Sequence, residues 1–315
     1  MLALTIDGGE LVLRERPTPE PEAGDVVVAV RGAGLNAADL LQRRGLYPAP
    51  PGWPVDVPGM EFAGIVSAVG DAVTLPLLGR RVCGLVGGGA QASHCAVPAE
   101  HLIDVPDHVP WDQAGGFAEA FVTAHDALVS QGHLRANERA LVTGAAGGVG
   151  TAAVQIASAL GAHVTAVTRT SEHHAALREL GASDTITTDE IGELDPVDVV
   201  VELVGAASLN AVQGVLARFA RVVVIGVSAG SHVDLDLLNL MSRRATLTGS
   251  TMRSRSREEK ARAIEAARDA LAPLWALGRI RVPVAVTFDI ADAAAAYDRF
   301  AEPGKLGKVL LTVDQ

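Results

Sequence analysis

Leu141-Val142-Thr143-Gly144-Ala145-Ala146-Gly147-Gly148-Val149-Gly150 is the stretch on which the reading of this chain turns. An apolar run enters a group of glycines, and an Ala-rich amphipathic stretch leaves it. That order predicts a strand over 139–143, a tight turn, and a helix over 149–160. Glycines in such a turn permit a sharp reversal and let a pyrophosphate touch the backbone. The helix that follows aims unsatisfied N–H groups and the positive end of its dipole at the phosphates. The spacing is Ala145-x-Gly147-x-x-Gly150, so the first glycine of the usual dinucleotide fingerprint is Ala here. Ala145, Gly147, Gly148, Val149 and Gly150 are the candidate cofactor-binding residues of the turn. The competing reading is a glycine turn kept only for helix–sheet packing.

Further β-α-β texture surrounds this turn. Strands are expected at 163–168, 197–203 and 221–225, and a helix at 172–180 closed by Gly181. Continuous Val-rich runs, rather than alternating ones, suit a parallel sheet covered on both faces. Successive units of this kind imply a doubly wound sheet. The second strand ends in Thr168-Arg169-Thr170-Ser171. An NAD site usually carries Asp or Glu there, on the ribose hydroxyls. Here no acid stands at the strand end, and the Arg169 guanidinium suits a 2′-phosphate. Thr168, Arg169, Thr170 and His173 are therefore read as an NADPH pocket, against Arg169 as a plain surface residue. Gly226 and Val227 follow the strand at 221–225, and strand C-terminal ends face the ligand in such sheets.

On either side of this region the texture changes. Residues 1–115 are rich in Pro and Gly, with short apolar runs at 26–30, 65–69 and 81–85. They read as a β-rich domain. After Thr251 come a helix over 257–277, expected to kink or divide at Pro273, a strand at 284–288, a helix at 291–300 and a strand at 308–313. Periodicity leaves open which domain this tail joins. Arg253, Arg255, Arg257, Lys260 and Arg262 make a basic stretch. Arg253 and Arg255 follow the last strand of the nucleotide domain and are candidates for touching the cofactor. A solvated helix start with local ion pairs is the alternative.

The chain has 315 residues, 26 Lys and Arg against 37 Asp and Glu, and a net charge of −11. Apolar residues make up 49% and charged residues 20%, the balance of a globular protein of about two domains. The acidic balance opposes a nucleic-acid partner. Cys83 and Cys95 are too few for a disulfide framework or a structural zinc site. Neither a secretory signal nor an apolar run long enough to cross a membrane is read from the sequence, so the expected compartment is the cytoplasm.

Several motifs now resemble a known family in order and spacing: Leu35-Asn36-Ala37-Ala38-Asp39-Leu40, Gly45-Leu46-Tyr47-Pro48, Pro58-Gly59-Met60-Glu61-Phe62-Ala63-Gly64, Gly70-Asp71, the glycine turn, and Gly307-Lys308-Val309-Leu310. The chain is similar to the zinc-independent quinone oxidoreductase branch of the medium-chain dehydrogenase/reductases. Gly87-Gly88-Gly89-Ala90-Gln91 and Met252-Arg253-Ser254-Arg255 resemble the stress-inducible NADPH quinone reductases of that branch. The resemblance implies an α/β architecture. A GroES-like β-rich domain is formed by 1–115 with a returning tail at 278–315, and a doubly wound Rossmann domain spans 116–277, with the active site in the cleft. It implies a homodimer or homotetramer; a homodimer is expected.

In zinc relatives a Cys stands at Asn36, a His at Met60, and a further Cys near Glu119; none is present, so no metal is expected. The resemblance implies catalytic roles beside the nicotinamide for Asn36, as an amide donor, and for Tyr47, through its hydroxyl. A turn role for Asn36 and loop packing for Tyr47 compete with these. Thr123 matches a cofactor-contacting threonine, against a helix residue bonding its own backbone. His173 and Thr188 depart from the family's lysine and tyrosine at the 2′-phosphate. The expected reaction is hydride transfer from NADPH to a quinone. The alternatives are an enoyl or enone reductase and a non-catalytic NADPH-binding protein.

Overall fold

Six parallel strands build the sheet around the glycine turn. Across the sheet they run Asp184–Thr187, His163–Thr168, Arg139–Val142, Val197–Glu202, Leu216–Val224 and Thr246–Gly249. Every neighbouring pair is parallel. The strand that feeds the turn is thus central, and the chain winds outward from it in both directions, the doubly wound order. Leu141, Val167, Val200 and Val222 are buried together in this unit's core. Their runs carry apolar side chains on both faces because helices cover both.

The second sheet has seven strands. Asp25–Gly34 is its centre, pairing antiparallel with Glu61–Val69, His94–Pro98 and Lys308–Thr312. Val284–Asp289 lies outside Lys308–Thr312, and Arg81–Leu85 and Leu102–Asp104 extend the other edge. Leu2–Asp7 and Glu10–Glu15 form a separate two-stranded ribbon. Val26, Val28, Val30, Phe62, Val82, Val97, Leu311 and Tyr297 fill the core. The tail's strand lies in this sheet, which resolves what periodicity left open.

The computed structural model describes residues 1–313, in two compact units. One is Met1–Val122 together with the chain from Met252 onward, and the other is Thr123–Thr251. The tail expected at 278–315 therefore starts earlier, and its last two positions lie outside the described residues. Residues 252–277 join the β-rich unit instead of the nucleotide unit, and 116–122 join it too. The reason is aromatic and ionic packing. The Trp275 indole stacks on Phe117 at 3.7 Å between ring centres, and Phe117 on Phe121 at 4.4 Å. At the other end of the same helix, Arg257 pairs with Glu100 at 2.6 Å and Asp25 at 2.9 Å. The helix Arg257–Ala276 runs on through Pro273 without dividing. Ser256 caps its start with a capping box to Glu259. Among the described residues no helix is long and apolar enough to cross a membrane.

Candidate functional site

In the nucleotide unit, parallel strands bring four loop ends to one edge of the sheet. The helix after the first strand is Gly148–Ala159, with Gly147 as its N-cap. The first bond of this helix runs from the Thr151 N–H to the Gly147 carbonyl at 2.8 Å. The N–H groups of Gly148, Val149 and Gly150 come before it and have no intrahelical partner. No side chain caps this end. Glycine is required at Gly150, since a Cβ there stands 2.4 Å from the Gly144 carbonyl oxygen. The turn is therefore an open cradle of backbone donors at the positive end of a helix, the form that holds a pyrophosphate. These residues fit a dinucleotide. Ala145 does not take the role expected of it. It is fully buried, and its N–H donates to the Val167 carbonyl at 3.0 Å, so it braces the turn from within.

The cofactor residues expected at strand ends lie on this edge. Arg169 and Thr170 are exposed just past His163–Thr168. Thr168 is buried, and its hydroxyl donates to the Thr170 carbonyl at 2.8 Å. His173 is half-buried, and its Nε2 has no hydrogen-bond partner among the described residues. Parallel pairing of Thr187 with Thr168 also brings Asp189 and Glu190 to this corner. Sequence reading missed these acids because they follow the third strand. Glu190 is engaged, accepting from the Thr187 N–H at 2.6 Å. Gly226 follows Leu216–Val224, where a Cβ stands 2.5 Å from the Leu203 carbonyl oxygen, and Val227 beside it is half-exposed. Thr123 is buried on the helix Ala118–His125.

In the β-rich unit, Asn36 belongs to a buried ionic cluster. The Lys308 ammonium donates to Glu61 Oε1 at 2.5 Å, Asn36 Oδ1 at 2.6 Å and the Leu35 carbonyl at 2.9 Å, which uses all three of its hydrogens. Asn36 Nδ2 donates to Glu61 Oε1 at 3.1 Å, and Glu61 Oε2 accepts from the Glu119 N–H at 2.8 Å. Glu61 is completely buried and Lys308 is 3% exposed. Asn36 is thus clamped in one rotamer between a cation and an anion. Lys308 and Glu61 each stood in a family motif, but nothing local announced their pairing.

Arg253, a cofactor candidate from the sequence, makes its hydrogen bonds within the β-rich unit. It is 4% exposed, and its guanidinium donates to the Gly87 carbonyl at 2.8 Å, the Tyr47 carbonyl at 3.1 Å and Gln42 Oε1 at 2.6 Å. The same guanidinium lies 5.1 Å from the centre of the Tyr47 ring. Three of its five N–H groups are thus engaged within the β-rich unit, where they tie down the Tyr47 loop. Asp39 lies in the same network. It accepts from the Asn36 N–H at 2.8 Å and the Gly59 N–H at 3.1 Å. Burial pushes its carboxyl up to about 6, against those hydrogen bonds and the charge of Arg253. Arg255 is half-buried and also belongs to the β-rich unit, on the wall of a cavity with Trp53, His101 and Lys260.

Metal chemistry can be judged from the donors. Met60 is a buried thioether and Asn36 a clamped amide. Burial pushes the Cys95 thiol up to about 12 and the Cys83 thiol well above its usual range, away from the thiolate a metal needs. Among the described residues no three His, Cys, Asp or Glu side chains converge.

Residues 22–132 match the alcohol dehydrogenase GroES-like domain family, and residues 148–268 the zinc-binding dehydrogenase family. The crystal structure of an alcohol dehydrogenase superfamily protein from Novosphingobium aromaticivorans superposes with a TM-score of 0.89 at 32% identity, covering 100% of both chains. A quinone oxidoreductase of Lama guanicoe is 28% identical over 96% of this chain and 94% of its own. The synaptic vesicle membrane protein VAT-1 homologue of Homo sapiens is 35% identical over 72% of this chain and 61% of its own. The chain spans 59% to 66% of the length of the VAT-1 homologues it matches. Superfamily members bind a nicotinamide cofactor, in keeping with the open turn at Gly147–Gly150. Fold, glycine turn and full-length similarity agree: the chain belongs to the medium-chain dehydrogenase/reductase superfamily, in its quinone oxidoreductase branch.

Proposed function

We propose that the chain is an oxidoreductase, an NADPH-dependent and zinc-independent quinone reductase that delivers a hydride to a quinone or similar electrophilic carbonyl. The observation that carries the reading is the uncapped glycine turn, whose backbone donors fit a dinucleotide pyrophosphate. The similarity to a quinone oxidoreductase over nearly the whole chain supports the acceptor class. The donor set at Asn36 and Met60 supports chemistry without zinc, since a catalytic zinc takes about three protein ligands. An acceptor that is already electron-poor needs no Lewis acid to receive a hydride.

Bound NADPH supplies the hydride. Gly148, Val149 and Gly150 hold the phosphates through their N–H groups, and Arg169 grips the 2′-phosphate. Asn36 has two amide hydrogens, of which Glu61 takes one. The other is the proposed donor to the acceptor oxygen or the cofactor. Lys308 and Glu61 fix its direction in advance, the kind of preorganisation that orientation effects require. Tyr47, held by Arg253, positions the acceptor through its hydroxyl. Solvent supplies the proton that completes the hydroquinone.

We also propose a homodimer. Thr246–Gly249 is an edge strand, and Leu237, Leu238 and Met241 beside it are 65% to 76% exposed, an apolar face on an unpaired edge. The cytoplasm is proposed as the compartment from composition, and two buried free thiols suit a reducing environment.

Fluorescence titration with NADPH and NADH, followed by absorbance loss on adding 1,4-benzoquinone or 2-cyclohexenone, tests the reading. Preferential NADPH binding with quinone-dependent oxidation is expected. Oxidation by the enone alone makes the chain an enone reductase. Binding with no turnover on either makes it a non-catalytic nucleotide binder, and no binding overturns the reading altogether.

A further inference from the structure

The basic stretch after Met252 has a use that nucleotide binding does not absorb. Its residues Arg257 and Lys260 line a cavity of about 650 Å³ within the β-rich unit. That lies inside the roughly 300–1,000 Å³ range of small-ligand sites. Trp53 and Pro51 line it, as do His101 and Cys95.

Two buried polar groups on these walls are incompletely used. His101 is 1% exposed. Its Nε2 lies 3.0 Å from the Arg257 carbonyl oxygen. A carbonyl only accepts, so Nε2 carries the proton and Nδ1 is the bare lone-pair nitrogen. That Nδ1 is buried and has no hydrogen-bond partner among the described residues. Burial foremost, helped by the charges of Lys260 and Arg257, holds the ring below the usual imidazole range, in its neutral form. A buried acceptor of this kind calls for a donor, because leaving it unmet is costly. Lys260 supplies the complementary group. Its ammonium is buried, donates to the Arg253 carbonyl at 3.3 Å and lies 5.5 Å from the centre of the Trp53 ring. An ammonium has three hydrogens, so one such bond leaves donors for a guest.

The occupant follows from this set. Glu20, Glu22 and Asp25 line the cavity against Arg255, Arg257 and Lys260, so its formal side-chain charges balance and leave no net positive charge to draw in an anion. A carboxylate guest would moreover bring no donor for His101. Trp53 and the proline offer apolar faces to a flat ring. We infer that this cavity binds a neutral phenol, its ring on Trp53, its O–H donating to His101 Nδ1 and its oxygen accepting from the Lys260 ammonium. Gly148, Val149, Gly150 and Arg169 are not among the residues that line it.

Isothermal calorimetry of the full chain at neutral pH tests it, with 2-naphthol as probe and 2-methoxynaphthalene and 2-naphthoate as comparators. Saturable binding of one 2-naphthol is expected, about tenfold or more tighter than the methyl ether, which has lost the donor. His101→Phe should erase that preference while leaving NADPH binding unchanged. Lys260→Met should reduce it, and Trp53→Leu should weaken both naphthalenes equally. Equal affinity for naphthol and ether, a hydroxyl preference that survives His101→Phe, tighter binding of naphthoate, or no saturable binding would each overturn the inference. The comparison on the unsubstituted protein decides the matter even if a variant fails to fold.

Discussion

Replacing Lys308 by Met isolates the ionic cluster that clamps Asn36. The ammonium makes three contacts of 2.5–2.9 Å, to Glu61, Asn36 and the Leu35 carbonyl. Methionine keeps most of the volume and removes every donor. Glu61, completely buried, is then left a carboxylate with only the Asn36 amide and the Glu119 N–H to answer it. Removing one partner of a buried pair typically costs about 3–5 kcal/mol, because the remaining charge stays desolvated. For a unit of this size that is a fall in melting temperature of about 6–20 °C. Scanning calorimetry of the Lys308→Met chain should show it. Adding Glu61→Gln to Lys308→Met removes the orphaned charge and should recover more than half of the loss, a strong coupling between the two sites. The amide of Asn36 also loses its anchor, so quinone-dependent NADPH oxidation should fall more than NADPH binding does. A stability loss below about 1 kcal/mol, or a double variant as unstable as the sum of the singles, would refute the account of the cluster.

The Asp39 carboxyl makes stability pH-dependent in a direction opposite to that of an ordinary paired acid. Its folded value of about 6 lies above the usual 3.8, so the folded chain holds a proton that the unfolded chain has lost. Stability is then fully present below pH 3.8 and falls as pH rises toward 6, by about 3 kcal/mol. Urea titrations across that window should reveal this contribution, and Asp39→Asn should flatten it; an identical slope in the variant would rule Asp39 out. Gly150→Ala drives a methyl into the Gly144 carbonyl. It should lower NADPH affinity by about tenfold or more in a fluorescence titration. Arg169→Ala should raise the Michaelis constant for NADPH sharply and leave NADH use little changed; equal effects on both would remove its role. Leu238→Asp with Met241→Asp should turn dimers into monomers in sedimentation velocity, and an unchanged sedimentation coefficient would move the interface elsewhere.

How far these features could be read in advance depended on how local their causes are. The strand at His163–Thr168 was bounded correctly, and so was Arg81–Leu85, because apolar runs flanked by turn residues act within a few positions. The turn at Gly144–Gly150 was legible for the same reason. Ala145 was misread because the fingerprint gives a residue's place in a turn but not which way its N–H points. The partners of Arg253 are not legible in the sequence, because a basic residue after a Rossmann strand looks alike whether it meets a phosphate or a carbonyl. Its bond to Gln42 spans 211 positions.

The chain's own pattern determined the class of the fold, the parallel sheet, the glycine cradle and the family. These rest on short-range geometry, where glycine, β-branched residues and helix starts constrain the backbone directly. Only the tertiary structure decided where residues 252–277 belong, since Trp275 needed Phe117 to stack on. It alone joined Lys308 to Asn36 across 272 positions and left His101 with an unmet nitrogen beside Lys260. Such pairings are settled by which buried charge and which open donor meet once the layers close, and a desolvated ion finds its partner wherever the fold brings one.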